Sequence, residues 1–177
     1  MRIIAGSNKG RTLKAPKWDG LRPTSDKLRE TLFNILAPHI DGARVLDVFA
    51  GTGAIALEAL SRGASAATCI EQDRRALRLI EENRELCGES KRCVIIRDAV
   101  ERALSKPVNG GPFDIVVLDP PYDYAAVPRA VRDAATQRAP HALLVLEHAS
   151  RVAPPVPEGL AIARTVKSGD SALTFYS

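Results

Sequence analysis

Three features of the sequence predict an α/β fold, a mostly parallel sheet with helices on both faces. Strand and helix patterns alternate from Arg44 onward. Apolar runs such as Ile115-Val116-Val117-Leu118 and Leu143-Leu144-Val145-Leu146 suit strands covered on both sides. The first strand also runs directly into a glycine turn and a helix-like stretch, through Arg44, Val45, Leu46, Asp47, Val48, Phe49, Ala50, Gly51, Thr52 and Gly53. Such a turn opens a ligand site at the carboxyl edge of a buried strand.

Taken in order, residues 1–23 hold Gly6, Gly10, Pro16, Gly20 and Pro23 and lack helical periodicity. They read as a small amino-terminal arm, with a short hairpin allowed between 2–5 and 12–14. Thr24, Ser25 and Asp26 supply a cap and a first-turn acid for a helix whose Leu28, Leu32, Ile35 and Leu36 share one face, and Pro38 ends it. Strands follow over 45–49, 67–71, 93–97, 113–119 and 142–147, with helices over 54–62, 74–87, about 99–104 and about 126–138. After Pro154, Pro155 and Pro157, two strands over 160–167 and 172–176 are joined by a four-residue link, which makes an antiparallel hairpin. The expectation is one domain over 1–177, a basic arm over 1–23 on a core over 24–177.

Composition sets further bounds. At 45% hydrophobic and 26% charged residues the chain is an ordinary globular protein. No apolar run approaches the roughly 18 residues of a membrane span, and the amino end has no signal-peptide core, so no membrane partner and a cytoplasmic location are expected. Cys69, Cys87 and Cys93 lack paired metal-ligand spacing and read as small buried apolar residues; no metal is expected. The net charge of +4 is uneven: residues 1–30 carry eight bases against three acids, while the remainder balances to −1. That concentration points to a polyanion partner, with Arg2, Lys9, Arg11, Lys14 and Lys17 as candidate phosphate contacts, and a solvated basic tail as the plainer alternative.

The candidate chemistry gathers at strand ends. Asp47, Glu71 and Asp98 stand at or just past the first three strands, and parallel strands bring all three to one edge. Gly51-x-Gly53-x-x-Ala56 followed by Glu71 also fits a dinucleotide fingerprint, so the turn alone does not choose between a nicotinamide cofactor and S-adenosylmethionine. A carboxylate at Asp47 would repel a pyrophosphate but could hold an ammonium; Glu71 could accept ribose hydroxyls, and Asp98 beside the small Ala99 could accept from an adenine amine. The fourth strand ends in Asp119, Pro120, Pro121 and Tyr122. A carboxylate, a carbonyl and a ring in one rigid turn suit a planar base with an exocyclic amine: the ring stacks, and the two acceptors favour the pyramidal nitrogen that can attack a sulfonium methyl.

These motifs resemble the class I amino-methyltransferases, and with Arg22-Pro23-Thr24-Ser25-Asp26, Leu57 to Gly63 and Glu147-His148 the chain resembles, essentially end to end, the bacterial RsmD family. The resemblance implies a Rossmann-like sheet of five parallel strands plus a carboxyl-terminal antiparallel hairpin, in order 3-2-1-4-5-7-6. It also implies S-adenosylmethionine as cofactor and methylation of a guanine N2 amine in 16S ribosomal RNA, free or in the assembling small subunit, by a monomer. By matching, Asp47, Phe49, Gly51, Thr52, Gly53, Glu71, Gln72, Asp98 and Ala99, with Arg22 and Thr24 ahead of the first helix, become cofactor residues. Asp119, Pro120, Pro121 and Tyr122 become the catalytic motif. Thr52 stands where the family commonly has serine, and Ser168-Gly169 where it usually has an aromatic-glycine pair. A DNA adenine-N6 methyltransferase, or a non-catalytic nucleic-acid-binding protein with this fold, are the alternatives.

Overall fold

The structure is a computed structural model describing residues 1–16, 18 and 26–177. The elements are α1 (Asp26–Leu36), a 3-10 turn (Ala37–His39), β1 (Arg44–Val48), α2 (Ala54–Ser61), β2 (Ala66–Glu71), α3 (Arg74–Leu86), β3 (Cys93–Arg97), α4 (Val100–Ala103), β4 (Phe113–Leu118), α5 (Val127–Ala135), β5 (Arg138–Ala149), β6 (Ile162–Ser168) and β7 (Ser171–Tyr176). They build one sheet in the order β3-β2-β1-β4-β5-β7-β6. The first five strands are parallel; β7 runs antiparallel between β5 and β6. This is the order implied by the family resemblance.

Alternation along the strands divides the core. Val45, Val117, Val145, Leu173 and Phe175 face one layer with α1 and α2, while Leu46, Val116, Leu144 and Tyr176 face the other with α4 and α5. Burying apolar side chains on both faces supplies the main stabilisation, about 1.5–3 kcal/mol for each large one. The helix α3 begins where the Asp73 carboxylate accepts from the N–H groups of Arg75 and Ala76. Cys69 and Cys93, on neighbouring strands, are buried with their sulfurs 3.9 Å apart, and Cys87 is buried too.

Most boundaries move by one or two residues from the sequence expectation, and two departures are informative. The last helix stops at Ala135, and Arg138 opens a strand instead of closing a helix. Gln137 explains this: its backbone carbonyl takes the Phe113 N–H at 2.9 Å, and its buried carboxamide oxygen takes the Val108 N–H, drawing the chain into the sheet. Phe49 is not the end of β1; it sits in the turn at φ 70°, a left-handed conformation uncommon outside glycine.

Among the described residues, the arm is part of the packed structure. Ile3 and Leu13 are buried, and a single bridge joins Arg2 to Thr12. The buried Glu58 of α2 accepts from Ile4 N–H at 2.8 Å and Ala5 N–H at 3.0 Å. Gly6, at φ 83°, lies so close that an added Cβ would meet the Ser61 carbonyl oxygen at 1.8 Å. Farther along, the Asn83 carboxamide bonds Lys14 through both N–H and C=O, at 2.7 and 3.1 Å. Lys17, Arg22 and Thr24, and the expected helix cap at Thr24 and Ser25, lie outside the described residues.

Arg29 corrects the charge count, because it is inside. Its guanidinium, fully buried, meets the Arg2 carbonyl and Asp26, with Glu58 3.9 Å away. Burial pulls it below its ordinary pKa, against the neighbouring carboxylates. It is a structural cation and no phosphate contact. Glu58→Ala would strip Arg29 of that carboxylate and leave two arm N–H groups unpaired, so the variant should lose about 3–5 kcal/mol in urea unfolding; a loss below about 1 kcal/mol would mean that Glu58 does not anchor the arm.

Candidate active site

Register places the site. Val48 of β1 stands beside Ile70 of β2 and Leu118 of β4, and Ile70 beside Ile96 of β3, so the residues that follow share one edge. The turn after β1 is folded by Ala50 N–H on the Ile70 carbonyl at 3.0 Å and Gly53 N–H on the Ala50 carbonyl at 2.8 Å. Gly51 and Gly53 take φ 57° and 76°, and a Cβ at Gly53 would press on Ile80 at 3.2 Å. Glu71 reaches across from β2: one carboxylate oxygen accepts from Gly51 N–H, the other from Gln72 and Asp73 N–H, all at 2.8 Å. The Thr52 hydroxyl donates to Met1 Sδ at 3.7 Å, so that side chain serves the arm.

Asp47 is 1% exposed. One of its carboxylate oxygens accepts from Ala56 N–H at 3.2 Å, in the first turn of α2; the other is buried without a hydrogen-bond partner among the described residues. Burial pushes its pKa up to about 7, against the Ala56 N–H, and the charges of Asp119 and Glu71 push the same way. Three carboxylates thus converge with one oxygen unsatisfied, an arrangement that attracts a cation or a strong donor and disfavours phosphate.

Asp98 keeps its carboxyl below the ordinary range through Arg102 and the Ala99 N–H, and Ala99 caps α4. Asp119 is half-buried and its N–H leans on the Val48 carbonyl at 3.4 Å. Tyr124 N–H closes the motif's turn on the Pro121 carbonyl at 2.9 Å, while no hydrogen bond reaches the Pro120 carbonyl among the described residues. Tyr122 is 47% exposed, and its hydroxyl lies 2.7 Å from Ser171 Oγ at the start of β7.

Sequence reading missed the residues that brace this turn. The Tyr124 ring packs edge-on against Phe49, centroids 4.9 Å apart, and its hydroxyl donates to Glu101 of α4. One side chain therefore joins the loops after β1 and β4 to α4, and Phe49 packs against it in its left-handed conformation. Glu101 and Ser171 belong to no motif, so only their three-dimensional placement reveals them. Gln72 is exposed beyond Glu71.

The arm's cations follow α3. Arg11 donates to the Leu86 carbonyl at 2.6 Å, Lys14 pairs with Glu82 at 2.9 Å, and the Trp18 ring lies under the Arg75 guanidinium at 4.9 Å. Since α3 starts just after Glu71, this line of contacts ends at the edge that holds the carboxylates. Arg2 and Lys9 border a shallow depression with Lys27, where Asp26 and Glu30 offset part of the charge. No cluster of His, Cys, Asp and Glu suited to a metal ion occurs among the described residues, and no helix there is long and apolar enough to cross a membrane.

A family model described as conserved hypothetical protein 95 matches residues 1–177. The chain is 46% identical over 122 residues to the ribosomal RNA small subunit methyltransferase D of Escherichia coli K12, covering 69% of this chain and 60% of that one. It is 39% identical over 132 residues to the Haemophilus influenzae protein of the same name, covering 74% and 68%. A solved structure of a candidate methyltransferase from Escherichia coli superposes with a TM-score of 0.86 at 37% identity, covering 99% of this chain and 96% of the other. A hypothetical protein of Thermus thermophilus gives a TM-score of 0.79 at 31% identity, covering 99% and 98%.

The Asp47 carboxyl binds its proton more tightly in the folded chain than in the unfolded one. Its contribution to stability therefore falls as pH climbs from the unfolded value of about 4 to its folded value of about 7, and levels off above. Asp47→Asn should match the parent in thermal melts near pH 4 and exceed it at pH 8. Equal melting curves at both pH values would remove the buried charge from the account.

Proposed function

The chain belongs to the RsmD family, and on that premise we propose that it methylates the N2 amine of a guanine in 16S ribosomal RNA, free or in the assembling small subunit, with S-adenosylmethionine as donor. The observation that carries the reading is the unsatisfied, buried Asp47 oxygen beside Asp119 and Glu71. An acid-rich pocket of this kind fits a cationic cofactor and a substrate with amine hydrogens to donate. It does not fit the pyrophosphate of a dinucleotide.

In this proposal Asp47 takes the cofactor's ammonium, and Gly51 and Gly53 keep the turn low enough for close approach. Phe49 and Thr52 complete the turn. Glu71, already oriented by three N–H donors, and Gln72 take the ribose, while Asp98 and Ala99 take the adenine; Arg22 and Thr24 join from the arm's end. S-adenosylmethionine supplies an electrophilic methyl group on sulfur. Tyr122 stacks on the flipped guanine, and Asp119 with the Pro120 carbonyl accepts from N2, favouring its lone pair over conjugation with the ring. Pro121 keeps that turn rigid. Transfer would form the N2–carbon bond as the sulfur–carbon bond breaks with its electron pair going to sulfur, leaving a neutral thioether, and the surplus N2 proton would depart along the hydrogen bond to Asp119 or to water.

Arg2, Lys9, Arg11, Lys14 and Lys17 bind RNA phosphates, with Arg11 and Lys14 on the track that leads along α3 to the site. The arm and core act as one unit, 1–177, as a monomer in the cytoplasm. Exposed arginines and lysines paired in the unbound protein, such as Lys14 with Glu82, exchange weak surface pairs for phosphates at little loss.

The test is mass spectrometry of nucleosides from small-subunit RNA treated with protein and labelled S-adenosylmethionine, which should yield N2-methylguanosine. Asp119→Ala should bind cofactor as the parent does while turnover falls by on the order of a hundredfold. Label on adenosine, or near-parent turnover by Asp119→Ala, would overturn the proposal.

A further inference from the structure

Glu147 is a buried carboxylate to which the proposed mechanism gives no task. β4 and β5 run parallel with Leu118 opposite Leu146, so Asp119, just past the end of β4, lies beside Glu147, two residues before the end of β5, with the strands about 4.8 Å apart. Residues two apart along a strand share a face. Asp47 stands opposite Val117, and Val117 opposite Val145, so Asp47, Asp119 and Glu147 project to the same side of the sheet. Glu147 is 6% exposed.

The surroundings hold it there. Glu147 pairs with Leu173 of β7. His148, turned to the opposite face, is 3.0 Å from the Ala149 carbonyl through Nδ1 and 2.9 Å from Thr174 Oγ1 through Nε2. A carbonyl only accepts, so Nδ1 donates, and in the neutral ring Nε2 accepts from the threonine. Tyr122 leaves the end of β4 and meets Ser171, which stands opposite Ala149. The phenol thus crosses the end of β5, between its own strand and β7, on the face that Ser171 shares with Glu147 by strand alternation, so a base stacked on it would lie beside Glu147.

We propose that Glu147 determines base specificity by accepting the N1–H of the target guanine, while Asp119 and Pro120 accept from N2. This rests on the guanine-N2 reading above. Guanine presents N1–H and the N2 amine side by side as donors, whereas adenine beside its amine has a bare N1 that a carboxylate repels. Sites built around a hydrogen bond of this kind reject an analogue lacking the partner far more strongly than apolar pockets do.

The test uses a synthetic RNA fragment carrying the guanine located by mass spectrometry, and the same fragment with 2-aminopurine there. That base keeps the amine but has an acceptor at N1. The parent protein should methylate it with kcat/KM at least about a hundredfold below guanine. Glu147→Gln can offer N1 a donor, so its 2-aminopurine to guanine ratio should rise at least tenfold, with binding of S-adenosylhomocysteine unchanged in calorimetry as the control for folding. Equal use of both bases by the parent overturns the proposal without any variant, and so does an unchanged ratio in a Glu147→Gln that binds the cofactor product normally. A parent that methylates neither base overturns the guanine-N2 reading itself, and this assignment with it.

Discussion

A carboxylate that the fold buries without fully satisfying is the constraint around which the ligand edge is built. Asp47 lies inside the first strand's end, one oxygen on the Ala56 N–H and the other without a hydrogen bond among the described residues. An isolated buried charge is expensive in a folded protein, and burial accordingly moves its proton affinity toward neutrality. Asp119 and Glu71 add to the same negative field. The pocket is thus electrostatically frustrated, and a cation would relieve it. That is a physical basis for preferring a sulfonium and ammonium cofactor over a dinucleotide, independent of family membership.

The same helix that serves Asp47 also fixes the arm. α2 receives the carboxylate at its first turn through Ala56, and at its other end holds Ile4, Ala5 and Asn8 through Glu58 and Ser61. The arm then runs along α3, its contacts moving from Leu86 to Asn83 to Arg75, which spans about 16 Å of helix. A basic segment anchored in this way has a fixed position relative to the ligand edge. The cluster of Arg29, Glu58 and Arg62 therefore helps to set where the arm lies relative to the ligand edge.

Much of this was legible in the sequence because period and punctuation are local signals. The apolar runs of β4 and β5, the glycine turn after Asp47 and the glycines closing α2 and α3 each declare themselves within ten residues. The strand-end carboxylates follow from parallel connectivity. What escaped depends on distant pairs. Arg29 looks like one more surface base until Glu58, Asp26 and the Arg2 carbonyl surround it. Arg138 looks helical until Gln137 stitches its neighbourhood to Phe113 and Val108. Tyr124 is two residues beyond a recognisable motif, yet its partners come from elsewhere, Phe49 from the turn after β1 and Glu101 from α4. The Ser171 hydroxyl, in a hairpin that sequence reading left without a role, steadies Tyr122.

The central claim is that Asp47 must be ionised to receive the cofactor and is held near neutrality until it does. Calorimetry of S-adenosylmethionine binding between pH 6 and 7.5, in two buffers of different ionisation enthalpy, measures this directly. Affinity should rise with pH while protons are released on binding, and Asp47→Asn should bind weakly with no such proton release. Binding by the parent that is independent of pH and releases no protons, or an undiminished affinity in Asp47→Asn, would contradict the account.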